Sequence, residues 1–141
     1  DHHHDDDDHD DALGQPKVIV TDQISWEQDF FNDLIPLIKT SADIITWHNY
    51  PLGPGYGNPN LDEHIMNPRY HHHFIETAGN ATETVTDLGD GRMGVWMGET
   101  GGAYNSGHNE TSNAFIYAFW YLQVLGGFAA KGHYGFCRQT L

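Results

Sequence analysis

Residues 93–107 read M-G-V-W-M-G-E-T-G-G-A-Y-N-S-G, and this stretch decides the fold of the chain. Its first part, residues 94–98, is a short apolar run of strand-forming residues, which is typical of a buried strand. Its second part is rich in Gly, Asn and Ser, which let the backbone turn sharply and approach a ligand. Glu99 stands between the two parts. Because chemistry collects at the carboxyl ends of strands in parallel α/β sheets and barrels, we predict that Glu99 is a functional carboxylate.

The rest of the chain is predicted to alternate strands with helices. Strands are predicted at residues 17–21, 43–50, 94–98 and 133–137, and helices at residues 25–38, 74–88 and 111–126. The first helix is expected to begin with a capping box of Ser25 and Gln28, and to be kinked or ended early by Pro36. This order implies right-handed crossovers and a parallel sheet. Four strands with polar carboxyl ends predict half of a (β/α)8 TIM-type barrel; a small doubly wound sheet is the alternative.

Several apolar side chains are predicted to form the core. Phe30 and Phe31 are expected to face inward from the first helix. The last helix shows one apolar face made by Phe115, Ala118, Phe119, Leu122 and Leu125, and a second apolar side made by Ile116, Trp120 and Val124. A helix that is apolar on both sides is expected to lie between layers. Cys137 is the only cysteine and is predicted to be an inert, buried thiol.

Charge is concentrated at the N-terminus. The formal net charge is −14, and seven of the twenty acidic residues lie in the first eleven positions, which leaves −7 on the rest. This balance argues against nucleic acid, an anionic membrane surface or a strongly sulfated polymer as a partner. We predict that residues 1–15 form a disordered His/Asp-rich segment without the fixed spacing of a folded metal site, and that residues 16–141 form the domain. No cofactor, transmembrane run or signal peptide is predicted.

Six motifs carry a resemblance to a known family. They read I-T-W-H-N-Y, L-G-P-G, D-E-H-I-M-N-P-R-Y, W-M-G-E-T-G-G-A-Y-N-S-G, N-A-F-I-Y-A-F-W-Y-L and F-C-R-Q-T-L. In this order, from about residue 44 to residue 141, they resemble glycoside hydrolase family 79, the heparanase-like β-glucuronidases, and especially its plant-type members. The resemblance implies a retaining enzyme that cleaves terminal β-glucuronic acid. It also implies that the four strands are the fifth to eighth of the barrel, its C-terminal half.

The resemblance also implies roles for residues at the strand ends. Glu99 matches the family's catalytic nucleophile, whereas the Asn-Glu pair that carries the family's acid/base is absent from this chain. Asp22 lies at a strand end but resembles nothing catalytic. His48 and Tyr50 are expected to hold Glu99 ionised and aimed, or to contact the sugar. A hydrogen-bonded core histidine is the alternative for His48.

The loop after Glu99 is expected to bind the sugar. Tyr104 can stack on the sugar or bond to it, and the resemblance implies that the backbone N–H groups of Asn105 and Ser106 receive the uronate carboxylate. Arg138 and Gln139, at the end of the last strand, are expected to complete this subsite. The alternative for Arg138 is a structural ion pair.

Three functions are therefore compared. The first is a glycoside hydrolase acting on β-glucuronides, of which this chain is an incomplete piece that is inactive alone. The others are a non-catalytic carbohydrate-binding relic and an acidic metal-binding protein using the His/Asp segment. Glycosylation sequons begin at Asn80 and Asn109. With the resemblance, they predict a glycoprotein in a secreted, extracellular or vacuolar-lysosomal compartment, and leave membrane association open.

Overall fold

A computed structural model of the chain describes residues 15–139. The strands are β1 Ile19–Gln23, β2 Ile44–Asn49, β3 Gly94–Thr100 and β4 Gly135–Arg138. The helices are α1 Gln28–Ile38, α2 Leu61–Met66, α3 Pro68–Leu88 and α4 Ala118–Ala130, with a short 3-10 turn at Phe115–Tyr117. The predicted alternation of strands and helices is confirmed. The predictions of disorder and metal binding for the N-terminal segment lie outside the described residues, which begin at its last position, Gln15.

The four strands form one parallel sheet in the order β1-β2-β3-β4. A doubly wound sheet reverses its strand order at a switch point, whereas here each strand is added beside the previous one. The mixed α/β architecture with this sheet fits a partial TIM-barrel-like fold. None of the helices described between residues 15 and 139 is long and apolar enough to cross a membrane.

The core lies between the helices and one face of the sheet. Trp47 of β2 is 1% exposed, and its ring stacks on Phe128 of α4 with centroids 5.9 Å apart. Met97 of β3 and Phe31 of α1 are completely buried in the same cluster. Burying such large side chains stabilises the fold by roughly 1.5–3 kcal/mol each relative to exposure.

The start of α1 differs from the prediction. The helix begins at Gln28, and the hydroxyl of Ser25 donates to the carboxylate of Glu27 at 2.7 Å instead of capping the helix. The expectation that Pro36 ends the helix early is also wrong, because the helix continues to Ile38. Only Phe31 of the two predicted core aromatics is buried, since the neighbouring Phe30 is 44% exposed.

Helix α4 buries only one of its two apolar sides, so the expectation that it lies between layers is not met within residues 15–139. Tyr117, Trp120, Val124 and Phe128 are buried, whereas Phe115, Phe119 and Leu122 are exposed. Both sides are apolar, so periodicity alone could not choose between them. Trp120 and Phe128 are completely buried, and Phe128 packs on Trp47 and Phe136 of the sheet.

Cys137 is exposed, which contradicts the prediction of a buried thiol. Successive side chains of a strand point to opposite faces of the sheet. Phe136 packs against Phe128 of α4, and Cys137 therefore faces away from the helices, into a groove that Thr46 and Trp96 also line.

His133 is a polar side chain inside the core. It is 4% exposed; its Nε2 accepts a hydrogen bond from the indole N–H of Trp47 at 3.0 Å, and its Nδ1 lies 3.3 Å from the hydroxyl of Thr82. Burial lowers the pKa of His133 to about 4, so the ring is neutral at physiological pH. His133 thus links β2 to α3 through two polar contacts.

Candidate active site

A cleft of about 580 Å³ opens at the carboxyl ends of the strands. It is lined by Ile24, Ser25, His48, Asn49, Tyr50, Glu99, Tyr104 and Asn105. Five of the eight predicted site residues therefore meet in one place: His48, Tyr50, Glu99, Tyr104 and Asn105. The carboxyl-end position of the cleft follows from the parallel sheet, since the βα loops all emerge there.

Glu99 lies inside strand β3, one residue before its end. The pairing of β2 with β3 runs from Trp47 opposite Met97 to His48 opposite Glu99, so Gly98 is an extra residue that bulges out. A bulge re-aims the side chain that follows it and is common beside active sites. Glu99 is half-buried and forms part of the wall of the cleft.

Tyr50 is the side chain that holds Glu99. Its hydroxyl donates a short hydrogen bond to Oε1 of Glu99. Burial, and after it the contact with Glu99, raises the pKa of Tyr50 to about 12, so the phenol keeps its proton and remains a donor at physiological pH. The phenol therefore fixes one oxygen of Glu99 and leaves the carboxylate available for chemistry.

The Gly-Gly pair after Glu99 was predicted to let the backbone approach a ligand, and in the structure it makes room for aromatic side chains. Both glycines are buried, and they accommodate aromatic rings instead of bringing the backbone to a ligand. A Cβ atom at Gly101 would lie 2.8 Å from the ring of Tyr50, and one at Gly102 would lie 2.6 Å from the ring of Trp120. The pair thus lets Tyr50 sit close enough to the backbone to reach Glu99.

His48 contacts a carboxylate on the opposite neighbouring strand. Its Nε2 lies 2.7 Å from Oδ1 of Asp22, a close contact that is not aligned as a hydrogen bond. His48 was expected either to orient Glu99 or to contact the sugar, and in this structure it is Tyr50 that contacts Glu99. The His48 side chain is 15% exposed and lines the cleft, where it is placed to contact a ligand.

Asp22 reaches His48 because strand β1 bulges. Thr21 and Asp22 have φ angles of 84° and 67°, and Asp22 is skipped in the pairing with β2. A left-handed backbone at a β-branched residue such as Thr21 costs on the order of 1–3 kcal/mol and is found mostly at functional sites. A Cβ atom at Gly98 would lie 2.6 Å from Oδ1 of Asp22, so the two bulges fit together.

The loop after β3 forms another wall of the cleft. Tyr104 is 43% exposed, and its backbone N–H and C=O bond to Gly53 and Gly55 of the preceding loop at 3.0 and 2.9 Å. Asn105 and Ser106 have left-handed φ angles of 58° and 63°. Within residues 15–139 the N–H groups of these two residues have no hydrogen-bond partner. They are exposed donors beside the cleft.

Arg138, Gln139 and Ser106 do not line the cleft. The guanidinium of Arg138 lies 4.9 Å from the centre of the Tyr121 ring, in a separate recess with Tyr117. Gln139 donates its backbone N–H to the carbonyl of Thr100 at 2.7 Å, which extends the contact between β4 and β3. The structure therefore does not bring Arg138 and Gln139 together with Glu99.

Three cleft residues were missed from the sequence. Ile24 and Ser25 follow β1, and Asn49 lies between His48 and Tyr50 at the end of β2. The Oδ1 atom of Asn49 is buried and has no hydrogen-bond partner among residues 15–139. Its position at a strand end, in a run of three polar residues, was the signal that could have identified it. In the same range no three His, Cys, Asp or Glu side chains form a group that could hold a metal ion.

Comparison with known proteins identifies a family that matches this chain. The chain matches the family described as "Glycosyl hydrolase family 79, N-terminal domain" over residues 6–126. Heparanase-like protein 1 of Arabidopsis thaliana is 38% identical over 117 residues, covering 82% of this chain and 21% of that protein. Baicalin-beta-D-glucuronidase of Scutellaria baicalensis is 35% identical over 98 residues, covering 70% and 18%. Heparanase of Gallus gallus is 31% identical over 92 residues, covering 65% and 17%. The chain thus spans about a fifth of the length of these relatives.

Proposed function

Because this chain belongs to glycosyl hydrolase family 79, we propose that it supplies the nucleophile side of the active site in a retaining glycoside hydrolase. The observation that carries the proposal is the pair of Glu99 and Tyr50. Glu99 stands at the carboxyl end of a strand in the cleft, and the protonated phenol of Tyr50 donates to one of its oxygens. A nucleophilic carboxylate has to be aimed at the reacting carbon, and a neutral donor that fixes one of its oxygens aims it.

The substrate class proposed is a terminal β-glucuronic acid residue. One similar protein is named as a β-D-glucuronidase, which supports this choice. The free N–H groups of Asn105 and Ser106 can donate hydrogen bonds to a uronate carboxylate, and Tyr104 presents an exposed aromatic face beside them. This recognition needs no cluster of lysine or arginine, in keeping with only six such residues in the chain.

The reaction would proceed in two displacements. A carboxylate oxygen of Glu99 attacks the anomeric carbon, and the bond to the leaving oxygen breaks as an acid donates a proton to it. Water, deprotonated by the same group, then attacks the anomeric carbon and releases Glu99. Among residues 15–139, Glu99 is the only carboxylate that lines the cleft. We therefore place the acid/base outside this chain and propose that the four strands are the fifth to eighth of a (β/α)8 barrel.

A binding protein without catalysis is the second candidate. The absence of a second carboxylate among the described cleft residues favours it. The two candidates differ in turnover: a binding protein would retain the sugar, whereas the enzyme would release glucuronic acid. Calorimetry and a hydrolysis assay on the same full-length sample separate them.

The nucleophile is tested by labelling and substitution in the full-length protein. A 2-deoxy-2-fluoro glucuronide, which traps the glycosyl-enzyme, is expected to label the peptide that contains Glu99. Glu99→Gln is expected to lower kcat by roughly a thousandfold or more, on the order of several kcal/mol in the barrier. Glu83→Gln, on the exposed side of α3, is the matched control and should keep normal turnover. Labelling of another carboxylate, or near-normal turnover of Glu99→Gln, contradicts the assignment.

A secretory or vacuolar compartment is proposed as well. The side chains of Asn80 on α3 and Asn109 in the loop before α4 are exposed, as acceptors of a glycan must be. Protein from a plant secretory expression system should lose mass after treatment with an N-glycosidase. The double variant Asn80→Gln/Asn109→Gln should lack the part of this mass change that comes from glycans at these two sites. Cytosolic residence of the tagged full-length protein would contradict the proposal.

A further inference from the structure

We propose that Asp22 is a positioning residue for His48. Its carboxylate holds the proton of the imidazole on Nε2, so that Nδ1 is the nitrogen with which His48 accepts a hydrogen bond from a sugar hydroxyl. The inference rests on the proposed function, because His48 lies opposite Glu99 in the sheet and lines the same cleft. It assigns a role to a residue that resembles nothing catalytic in the sequence.

The first support is the chemistry of the contact. Nε2 of His48 is fully buried, has no hydrogen-bond partner among residues 15–139, and lies 2.7 Å from Oδ1 of Asp22. The contact is not aligned as a hydrogen bond, but a lone pair on Nε2 would be repelled by a carboxylate oxygen this close, so the tautomer with the hydrogen on Nε2 is favoured. A neutral imidazole carries one N–H, and its other nitrogen is then an acceptor. The contact with Asp22 thus selects one of the two tautomers of His48.

The second support is the backbone that places the carboxylate. Thr21 and Asp22 are both left-handed, and two hydrogen bonds to Thr46 fix this conformation. The N–H of Asp22 donates to the Thr46 hydroxyl at 3.0 Å, and the Thr21 hydroxyl donates to the Thr46 carbonyl at 2.6 Å. Gly98 of β3 leaves the room that the carboxylate occupies. Residues of three strands therefore cooperate to bring this carboxylate to His48.

A purely structural role for Asp22 makes a different prediction. Asp43 offers the comparison, because it also joins β1 to β2, at the opposite end of the sheet. Its carboxylate accepts from the N–H of Val18 at 2.8 Å and lies 3.5 Å from Nζ of Lys17, far along the strand from the cleft. If Asp22 served only to join the strands, Asp22→Asn and Asp43→Asn would have similar effects on stability and on kcat/KM.

The test compares Asp22→Asn, Asp43→Asn and Glu99→Gln in the full-length protein. The amide at position 22 keeps the shape of the side chain but can donate or accept, so it no longer selects a tautomer. We expect kcat/KM for an aryl β-glucuronide to fall by about 10-fold to 100-fold in Asp22→Asn and to stay within twofold in Asp43→Asn. The ring ¹⁵N signals of His48 are assigned by their loss in His48→Gln. In the unsubstituted protein and in Asp43→Asn their chemical shifts should indicate a single Nε2–H tautomer. In Asp22→Asn they should indicate a mixture of the two tautomers.

Each outcome decides one of the two proposals. An inactive Glu99→Gln together with an Asp22→Asn protein of unchanged kcat/KM overturns the role of Asp22 and leaves the proposed function standing. Unchanged ¹⁵N shifts in Asp22→Asn also overturn it, whatever the activity. If Glu99→Gln remains active, the proposed function fails, and the ¹⁵N shifts still show whether Asp22 selects the tautomer of His48. A thermal melt of each variant identifies a loss of activity that comes from unfolding.

Discussion

His133 should make the stability of this fold fall in mildly acidic solution. The ring is buried between Trp47 and Thr82, and its pKa is about 4 in the folded protein. In an unfolded chain a histidine titrates near pH 6.5. At pH values between these two, the unfolded chain binds a proton at this position that the folded protein does not bind.

The sign and the size follow from that difference. Stability rises with pH wherever the unfolded state binds more protons, so the contribution of neutral His133 is complete above about pH 6.5 and is lost as the pH falls toward about 4. A shift of roughly 2.5 pH units at about 1.4 kcal/mol per unit gives a loss of about 3 kcal/mol. That is a large part of the 5–15 kcal/mol typical of a folded domain.

The assay is the free energy of unfolding measured between pH 7 and pH 4 for the natural protein and for His133→Gln. Glutamine keeps an acceptor for the Trp47 indole and has no proton to bind. Asp43, Glu76 and Asp90 have lowered pKa values and also reduce stability in acid, but they do so equally in both proteins. Between pH 7 and pH 4, the unfolding free energy of the natural protein should therefore fall by about 3 kcal/mol more than that of His133→Gln.

Two results would refute this reasoning. Parallel stability curves for the two proteins would show that His133 binds no additional proton on unfolding. A titration of the His133 ring near pH 6.5, followed by NMR in the folded protein, would show that burial does not hold the imidazole neutral.

Three further predictions concern activity and packing. Tyr50→Phe removes the donor to Glu99, and since a hydrogen bond to a charged group contributes about 1.5–3 kcal/mol, we expect kcat in the full-length protein to fall by roughly 10-fold to 150-fold. An unchanged rate would exclude the orienting role, and Tyr56→Phe, at an exposed tyrosine that does not line the cleft, is the matched control. Gly102→Ala places a methyl group against the ring of Trp120 and should destabilise the fold by about 1–3 kcal/mol, measured by denaturant titration; an unchanged midpoint would show that the ring can move. The 141-residue chain alone should not hydrolyse p-nitrophenyl β-glucuronide, and turnover comparable to that of an intact enzyme would show that the acid/base lies within it.

The parts of the fold that depend on local pattern were predictable. The alternation of apolar runs with amphipathic segments predicted the four strands, and the polar residues at their carboxyl ends predicted that Glu99, His48 and Tyr50 meet. The partner choices at the site were not predictable. The same strand-end pattern fits either His48 or Tyr50 as the donor to Glu99, and only the bulges in β1 and β3 decide between them.

The errors have the same physical origin. Helix α4 is apolar on both sides, so its buried face depends on which rings fit above the sheet. A run of three histidines beginning at His71 is typical of a solvated surface, but His71 is completely buried and its Nδ1 bonds to Gln123 of α4 at 2.9 Å. Both outcomes depend on contacts between α3 and α4, which are distant in sequence. A pattern of 3.6 residues does not contain that information.

The interlocked bulges of β1 and β3 have a consequence for how this sequence can change. Space for a side chain at position 98 exists only if the carboxylate of Asp22 and the side chain of Thr46 are not where they are now. Substitutions at these three positions should therefore be epistatic: alanine at position 98 should be harmful in the present background and tolerated only when the side chains at positions 22 and 46 both leave room for it. Gly98→Ala is therefore expected to follow changes at positions 22 and 46 and not to precede them. In a combinatorial library of the three positions, the residues found in functional variants should be correlated among the positions. The order in which the substitutions accumulate should also be restricted.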